Sequence, residues 1–150
     1  MAWEVMNHWT PSGDFVVHVF QMNNELAGYC SVLHAMTLIG STGHYGRPLT
    51  AVVIGFGNAA RGAITALNAF GVHDVTVLTM RDVTAVSSPV PSVVLHHLDR
   101  TEADPSRTTV QIATGGRVPT AEFLAQHDIV VNCVLPVSYT HLTLPTILRV

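Results

Sequence analysis

Apolar residues between positions 23 and 40 recur at the spacing of one helix face. Asn24, followed by Glu25, is typical of a helix start: the Asn side chain can accept a hydrogen bond from an unpaired backbone N–H, and the Glu suits the positive end of the helix dipole. Gly40 marks the predicted end. His34 is interpreted as a histidine hydrogen-bonded at a packed helix face. The predicted apolar stripe consists of Leu26, Tyr29, Cys30, Leu33 and Met36.

A second helical pattern follows a continuous apolar run and a glycine turn. The run at 51–54 predicts a strand, and a Gly-x-Gly-x-x-Ala sequence follows at 55–60. From about Ala59 the apolar side chains have helical spacing, and Gly71 suits the position just after the helix. The next apolar run, at 75–79, predicts another strand. The residues of this helix that are predicted to face inward are Ala60, Ala63, Ile64 and Leu67.

The pattern is weaker in the rest of the chain. Residues 15–20 predict a short strand or extended arm, and residues 92–96 predict a third strand of the sheet. Residues 99–106 are polar and rich in turn-forming side chains. Residues 119–122 suit a helix start, and the apolar run at 128–135 predicts a buried parallel strand.

This order of elements is typical of an α/β fold with a Rossmann-like parallel sheet. We divide the chain into an N-terminal arm (1–22), a linker helix and loop (23–48), a partial NAD(P)-binding domain (49–135) and a tail (136–150). The tail continues no helix or strand pattern, and it resembles the translated adapter sequence that recurs at the ends of unrelated metagenomic reading frames. We interpret it as not biological; the alternative is an edge strand with alternating polar and apolar residues.

Composition supports a packed α/β core and argues against several classes of function. Of the 150 residues, 48% are hydrophobic and only 11% are charged, which suits strands covered on both faces. The net charge of −3 and the lack of a Lys/Arg run argue against nucleic-acid binding. The sequence has neither an apolar window long enough for a membrane span nor a secretory signal, so we expect a cytoplasmic protein.

Cysteines and histidines form no recognisable metal motif. Cys30 and Cys133 lie far apart in the sequence, and we expect two reduced, buried side chains. His96 and His97 are adjacent in a predicted strand, so they point to opposite faces and cannot share a metal ion. The chain has nine histidines but no His-Glu-x-x-His sequence and no Cys/His quartet, so a metal site is not expected.

The strand, glycine turn and helix form the context in which this motif binds a dinucleotide; the alternative is an ordinary strand-to-helix turn of another α/β domain. An acidic residue at the end of the second strand binds the ribose of NAD, whereas a nearby Arg accommodates the 2′-phosphate of NADP. Here that strand ends at Thr79, and Arg81 follows, which favours NADP(H) over NAD(H), although Asp82 could pair with Arg81. The predicted cofactor-binding residues are Gly55, Gly57, Asn58, Ala59, Ala60, Arg61, Thr79, Arg81, Cys133, Val134 and Leu135.

Four segments of the chain resemble the alanine dehydrogenase and pyridine nucleotide transhydrogenase superfamily. They are residues 23–34, the glycine motif at 53–62, and the predicted strands at 74–78 and 128–135. Within the superfamily the likeness is greatest to the N5-(carboxyethyl)ornithine synthases, and it extends over residues 3–135. The resemblance implies an NADPH-dependent oxidoreductase that joins pyruvate to the side-chain amine of ornithine and reduces the resulting imine.

The resemblance also implies two α/β domains joined by helices, of which this chain would hold a linker helix and the first half of the nucleotide domain. The family's catalytic Lys and His belong to an N-terminal domain outside this sequence, so we assign no catalytic residue and expect the chain alone to be inactive. We expect the full-length protein to be a homo-oligomer whose substrates are pyruvate and an amino acid such as ornithine. Two alternatives stay open: an NAD-dependent alanine dehydrogenase, disfavoured because those enzymes carry an acid where Thr79 stands, and a non-catalytic nucleotide-binding domain.

Overall fold

The computed structural model describes residues 6–43, 46–80, 93–101, 104–112 and 115–134. The cofactor contacts predicted for Arg81 and Leu135, and the tail at 136–150, lie outside the described residues. The elements in chain order are β1 (Asn7–Trp9), β2 (Phe15–His18), α1 (Gln21–Ile39), β3 (Thr50–Ile54), α2 (Asn58–Ala69), β4 (Asp74–Thr79), β5 (Val93–Thr101), β6 (Asp104–Gln111), β7 (Arg117–Pro119), α3 (Thr120–Leu124) and β8 (Ile129–Asn132).

Six strands form one sheet in the order β7-β6-β5-β4-β3-β8. The strands β8, β3, β4 and β5 are parallel, and β6 and β7 extend the sheet as antiparallel neighbours. One face of the sheet packs against α2 and α1, and the other packs against α3. The predicted α/β class is therefore confirmed at the level of a mostly parallel sheet flanked by helices, which is compatible with a Rossmann-like fold.

The core lies around β3 and β4, at the middle of the sheet. Ala51 and Val53 belong to the cluster that contains α2, whereas Val52 belongs to the cluster that contains α3. Because β3 is covered on both faces, its continuous apolar run is buried, as a parallel strand requires. All four residues predicted to face inward on α2 are 0% exposed. Gly71 follows the helix with a φ of 86°, as predicted for a residue at that position.

The first helix begins earlier than its sequence pattern predicts. It starts at Gln21 with Phe20 as its N-cap, and no side chain caps it. The backbone N–H of Asn24 donates to the carbonyl of Phe20 at 3.0 Å, so Asn24 lies inside the first turn and the predicted N-cap is wrong. The predicted end is confirmed, because Gly40 adopts the left-handed conformation that closes helices.

The face that α1 buries is not the predicted apolar stripe. Its fully buried residues are Gly28, Val32 and Met36, of which only Met36 belongs to that stripe. Leu26 is 58% exposed, and Cys30, Leu33 and His34 are exposed as well. The predictions of a buried Cys30 and of a His34 at a packed helix face are therefore wrong.

Two glycines explain why this other face is buried. A Cβ placed on Gly28 would lie 1.9 Å from the carbonyl oxygen of Ala59, and a Cβ on Gly62 would lie 1.8 Å from the carbonyl oxygen of Glu25. Because neither glycine has a side chain, the backbones of α1 and α2 approach each other directly. The position of the contact is therefore set by two missing side chains and not by the apolar stripe.

Residues 99–106 include strand residues, although the segment is polar and rich in turn-forming side chains. The strand predicted at 92–96 is confirmed as the start of β5, which continues to Thr101 and pairs antiparallel with β6. Leu98 and Val110 face each other across this pair and are buried in the cluster that contains α3. Val93 and Leu95, earlier in β5, pack on the opposite side of the sheet, against the cluster that contains α2. The polar residues that follow Leu98 did not reveal that the strand continues.

The last strand of the parallel group is an edge strand. β8 runs parallel to β3, as predicted, with Ile129 and Val131 packed against the core on the side of α2. Val130, on the other face, is 40% exposed, so the prediction of a strand buried on both faces is wrong. Among the described elements, β8 has a strand neighbour on one side only.

Two smaller predictions agree with the structure. The short strand predicted at 15–20 is β2, which forms a separate two-stranded antiparallel sheet with β1. The helix start predicted at 119–122 is that of α3, with Pro119 as its N-cap.

The described residues show neither a membrane-spanning helix nor a metal cluster. None of the described helices combines the length and apolar content needed to cross a membrane. Within the described ranges, no three His, Cys, Asp or Glu side chains are placed to hold a metal ion together.

Candidate functional site

The glycine turn begins directly after β3. Gly55 has a φ of 97°, which favours glycine, and its N–H donates to the carbonyl of Leu78 on β4 at 2.7 Å. A Cβ at this position would also lie 3.0 Å from Cγ2 of Val134, just after β8. Gly55 therefore turns the chain at the point where the carboxyl ends of β3, β4 and β8 meet.

Gly57, at the start of α2, differs from Gly55 because its backbone conformation does not require glycine. It is the N-cap residue, with a φ of −94° and a ψ of −169°, a conformation open to any residue. No atom outside its immediate neighbours lies within 4 Å of where its Cβ would be, and the residue is exposed. Neither backbone strain nor packing within the described chain requires glycine here, so the position leaves open space in front of the helix.

The first turn of α2 presents backbone donors to this space. The N–H groups of Asn58, Ala59 and Ala60 precede the first intrahelical bond, in which the N–H of Arg61 donates to the carbonyl of Gly57 at 3.1 Å. No side chain caps the helix, and its first turn carries no acidic residue. Unpaired donors and the positive end of the helix dipole together favour an anion such as a phosphate at this end.

Arg61 adds a cation close to the turn. Its guanidinium carbon lies 5.2 Å from the centre of the Phe56 ring, within the distance of a cation–π contact. Phe56 is only 7% exposed, so the ring is a fixed platform between the two motif glycines. The arginine side chain is thereby held over the turn that the motif forms.

The carboxyl end of β8, which carries the predicted cofactor-binding residues Cys133 and Val134, is fixed beside the motif. The N–H of Cys133 donates to the carbonyl of Ile54 at 2.9 Å, and the N–H of Val134 donates to Oδ1 of Asn132 at 3.1 Å. Burial raises the pKa of the Cys133 thiol, so the thiol stays protonated at neutral pH and packs as a small apolar group. Leu135 is outside the described residues.

Thr79 lies at the carboxyl end of β4, as predicted. The preceding pair in the register is Ile54 with Leu78, so Thr79 lies level with the first motif glycine. Its side chain is only 4% exposed and is engaged in contacts within the chain. The described part of this strand end carries no carboxylate.

The opposite ends of the strands are held by an ion pair that the sequence analysis missed. Both terminal nitrogens of the Arg47 guanidinium bond the two carboxylate oxygens of Asp128, with Nη1 and Oδ2 2.9 Å apart. The N–H of Thr50 donates to the same carboxylate at 3.0 Å. The hydrogen bonds from Arg47 and Thr50 hold the pKa of Asp128 well below its ordinary value. This cluster fixes β8 beside β3 and so positions Asn132 and Val134 at the far end.

Gly28 and Gly62 were missed as positioning residues as well. They hold α1 against the first turns of α2, behind the candidate site. A glycine inside a helical pattern is costly and commonly marks a close backbone approach, and that was the available signal. The Arg47–Asp128 pair had no such signal, because 81 residues separate its members.

No known protein family, characterised protein or solved structure matches the chain. The site is therefore interpreted from its own residues and geometry.

Proposed function

We propose that the glycine turn binds the pyrophosphate of NADP(H) and that the chain provides the nucleotide-binding part of an oxidoreductase. The observation that carries this proposal is the open position of Gly57 in front of an uncapped helix start. Dinucleotide folds use such a glycine so that the backbone can approach the pyrophosphate closely. The location at the carboxyl ends of parallel strands also fits, because ligands of open α/β sheets bind there.

The residues present fit a dinucleotide in three respects. Gly55 makes the turn, Gly57 leaves room for the pyrophosphate, and the N–H groups of residues 58–60 would donate to it. Arg61 would add positive charge near the phosphates. Val134, which lies beside the turn and is 40% exposed, would offer an apolar contact beside the bound cofactor.

The choice of NADP(H) over NAD(H) is a further step of the proposal. It is supported by the strand end at Thr79, where the residues that the structure describes include no carboxylate that could bind the 2′-hydroxyl of NAD. Because the side chain of Thr79 is nearly buried, we assign the 2′-phosphate contact to the cation that follows in the sequence, Arg81.

The reaction is proposed from the resemblance alone. We propose the reductive condensation of pyruvate with an amino-acid side-chain amine, as in the carboxyethylornithine synthases, with NADPH supplying the hydride when bound. The described residues would bind and orient the cofactor, and we assign none of them to proton transfer. Hydride transfer needs both reactants held in one closed site, so cofactor binding is the activity expected of these residues.

Titration of the full chain with NADPH tests the proposed site. Because a side chain at position 57 meets no chain atom, Gly57→Val should fold normally but weaken NADPH binding at least about tenfold, equal to about 1.4 kcal/mol. Gly116→Val is the matched control: Gly116 is also exposed, and its Cβ would meet only the side chain of Ile112. Unchanged NADPH affinity in Gly57→Val would place the nucleotide elsewhere.

Parallel titrations with NADH and NADPH separate the alternatives. Tighter binding of NADPH supports the proposed cofactor, whereas tighter binding of NADH would support an alanine dehydrogenase-like protein. In the full-length protein, NADPH consumption that requires both pyruvate and ornithine would support the proposed reaction. Binding of NADPH by the full-length protein without consumption with any substrate pair would instead support a nucleotide-binding domain without catalysis.

A further inference from the structure

A row of polar side chains crosses the sheet at the carboxyl end of β4. Thr79, the last residue of β4, pairs in register with His97 on β5. His97 in turn faces Gln111 on β6, and Gln111 faces Arg117 on β7. His97 lies two residues after Leu95, which packs on the side of α2, so the row belongs to that face of the sheet. Because adjacent strands are about 5 Å apart, the row places His97 directly beside the end of β4.

Strand β5 continues beyond the end of its neighbour. β4 ends at Thr79, whereas β5 runs on past His97 to Thr101. Asp99, two residues after His97 on the same strand, points to the same face and lies about 7 Å beyond the end of β4. The antiparallel strands β6 and β7 support this extension. The three strands thus form a wall beside the end of β4, with His97 and Asp99 on the face of α2.

One carboxylate holds two basic side chains together on this wall, and we call His97, Asp99 and Arg117 the ribbon cluster. Oδ1 of Asp99 lies 3.1 Å from Nε2 of His97, and Oδ2 lies 3.2 Å from Nη2 of Arg117. Oδ2 is shielded from solvent, so it is closed to a ligand. The His97 side chain is 40% exposed, and its Nδ1 has no hydrogen-bond partner among the residues that the structure describes. Since Arg117 balances the charge of Asp99, a protonated His97 gives the ribbon cluster a net positive charge.

The order of the strands decides which half of a dinucleotide could reach the ribbon cluster. β4 and β5 lie on one side of β3, and β8 lies on the other. With the pyrophosphate at the start of α2, the ribose that carries the 2′-phosphate would lie at the end of the second strand of the motif, which is β4. The nicotinamide would lie on the other side, toward β8. His97 is therefore adjacent to the adenosine ribose and remote from the reacting atoms.

We propose that His97 binds the 2′-phosphate and so helps to select NADP(H) over NAD(H), an inference that rests on the cofactor site proposed above. His97 adds a second cation to Arg81, the one assigned from the sequence. Histidine titrates close to neutral pH, so the ring can carry a positive charge and donate from Nδ1 to a phosphate oxygen. Asp99 is a positioning residue, because it holds Nε2 and leaves Nδ1 to the ligand. NAD(H) has an uncharged hydroxyl in place of the phosphate and gains little from the cation.

Titrations of the full chain with NADPH and NADH test the proposal. His97→Ala should weaken NADPH binding at least about tenfold and change NADH binding less than about twofold, because only NADPH carries the 2′-phosphate. Retained NADH binding also shows that the variant is folded. His96→Ala is the matched control: His96 lies on the opposite face, where its ring contacts that of Phe123 with centroids 5.5 Å apart, so both affinities should stay unchanged.

The outcomes separate this inference from the proposed cofactor site. If the wild-type chain prefers NADPH and His97→Ala keeps that preference, His97 does not bind the 2′-phosphate, whereas the site at the start of α2 stands. Equal losses of NADPH and NADH affinity in His97→Ala, or a wild-type chain that prefers NADH, would overturn the inference as well. A wild-type chain that binds neither cofactor would overturn the cofactor site and this inference together.

The imidazole signals of the labelled full chain test the contact without a substitution. Adenosine 2′,5′-bisphosphate should shift the ring signals of His97 strongly, and 5′-AMP, which lacks the 2′-phosphate, should shift them far less. The ring signals of His96 should stay in place with either nucleotide. Equal shifts of the His97 signals by the two nucleotides, or no shift with the bisphosphate, would contradict a contact between His97 and the 2′-phosphate.

Discussion

The two longest helices lie against each other, yet they bury different kinds of surface. α2 buries apolar side chains such as Ile64 and Leu67 against the sheet, and both are 0% exposed. At the helix pair, by contrast, Gly28 and Gly62 bring backbone against backbone. α1 can therefore be firmly packed while Leu26 on its other side stays mostly exposed. The position of a helix contact thus depends on where side chains are absent as well as on where apolar ones are present.

The largest effect is expected from a substitution that breaks the backbone contact between α1 and α2. Gly62→Ala would place a Cβ 1.8 Å from the carbonyl oxygen of Glu25, so the helices must separate. We expect a loss of at least about 3 kcal/mol in the free energy of unfolding, or about 6–12 °C in the melting temperature. Urea and thermal unfolding followed by circular dichroism would measure it.

Gly57→Ala is the control for that substitution, because its Cβ meets no chain atom within 4 Å. It should cost no more than about 1 kcal/mol in the free energy of unfolding, the loss expected from Ala in place of Gly at a helix N-cap. If Gly62→Ala were equally harmless, α1 would not be held by the backbone contact.

An effect of intermediate size is expected when the side-chain contacts of the two helices are compared by one substitution in each. Leu67→Ala removes a fully buried side chain of α2 and should cost about 2–5 kcal/mol. Leu38→Ala removes a side chain of α1 that is 74% exposed and should change stability by less than about 0.5 kcal/mol. Similar losses for the two variants, measured by urea unfolding, would contradict the difference between the helices.

The smallest expected effect concerns the exposed ion pair that holds β8 beside β3. The pKa of Asp128 in the folded chain is lowered from its ordinary value of 3.8, chiefly by the hydrogen bond from Arg47. The stabilisation is therefore fully present above about pH 4 and is lost as the pH falls further. Because the pair is exposed to solvent, Asp128→Asn should lower the melting temperature by only a few degrees at neutral pH.

The difference between Asp128→Asn and the wild type should shrink as the pH falls below about 4, and it should vanish only where the carboxylate is protonated in the folded chain as well. A difference that persists undiminished in acid would mean that Asp128 stabilises the fold through something other than its charge.

The sequence predicted the centre of the molecule well because burial of apolar side chains dominates there. Strands β3 and β4 are buried on both faces, so their apolar runs are continuous, and the helical spacing around Ile64 has a single explanation. Gly55 and Gly71 were recognisable because each turn needs a positive φ.

The sequence predicted the periphery poorly because the structure there depends on more than the burial of apolar side chains. The face of α1 depends on Gly28 meeting another backbone, which a hydrophobic pattern does not record. Residues 99–101 are polar, so composition alone did not show that β5 continues to Thr101. Asp128 and Arg47 depend on a long-range pairing that becomes visible only once β8 is placed beside β3.

The central claim is that a pyrophosphate binds at the start of α2, and amide chemical shifts of the labelled full chain test it most directly. Saturating NADPH should shift the backbone amide signals of Asn58, Ala59 and Ala60 strongly and leave those of β6 near Val110 unchanged. If NADPH left the chemical shifts of these three amides unchanged from those of the chain without ligand, the proposed site would be wrong, whether or not NADPH bound elsewhere.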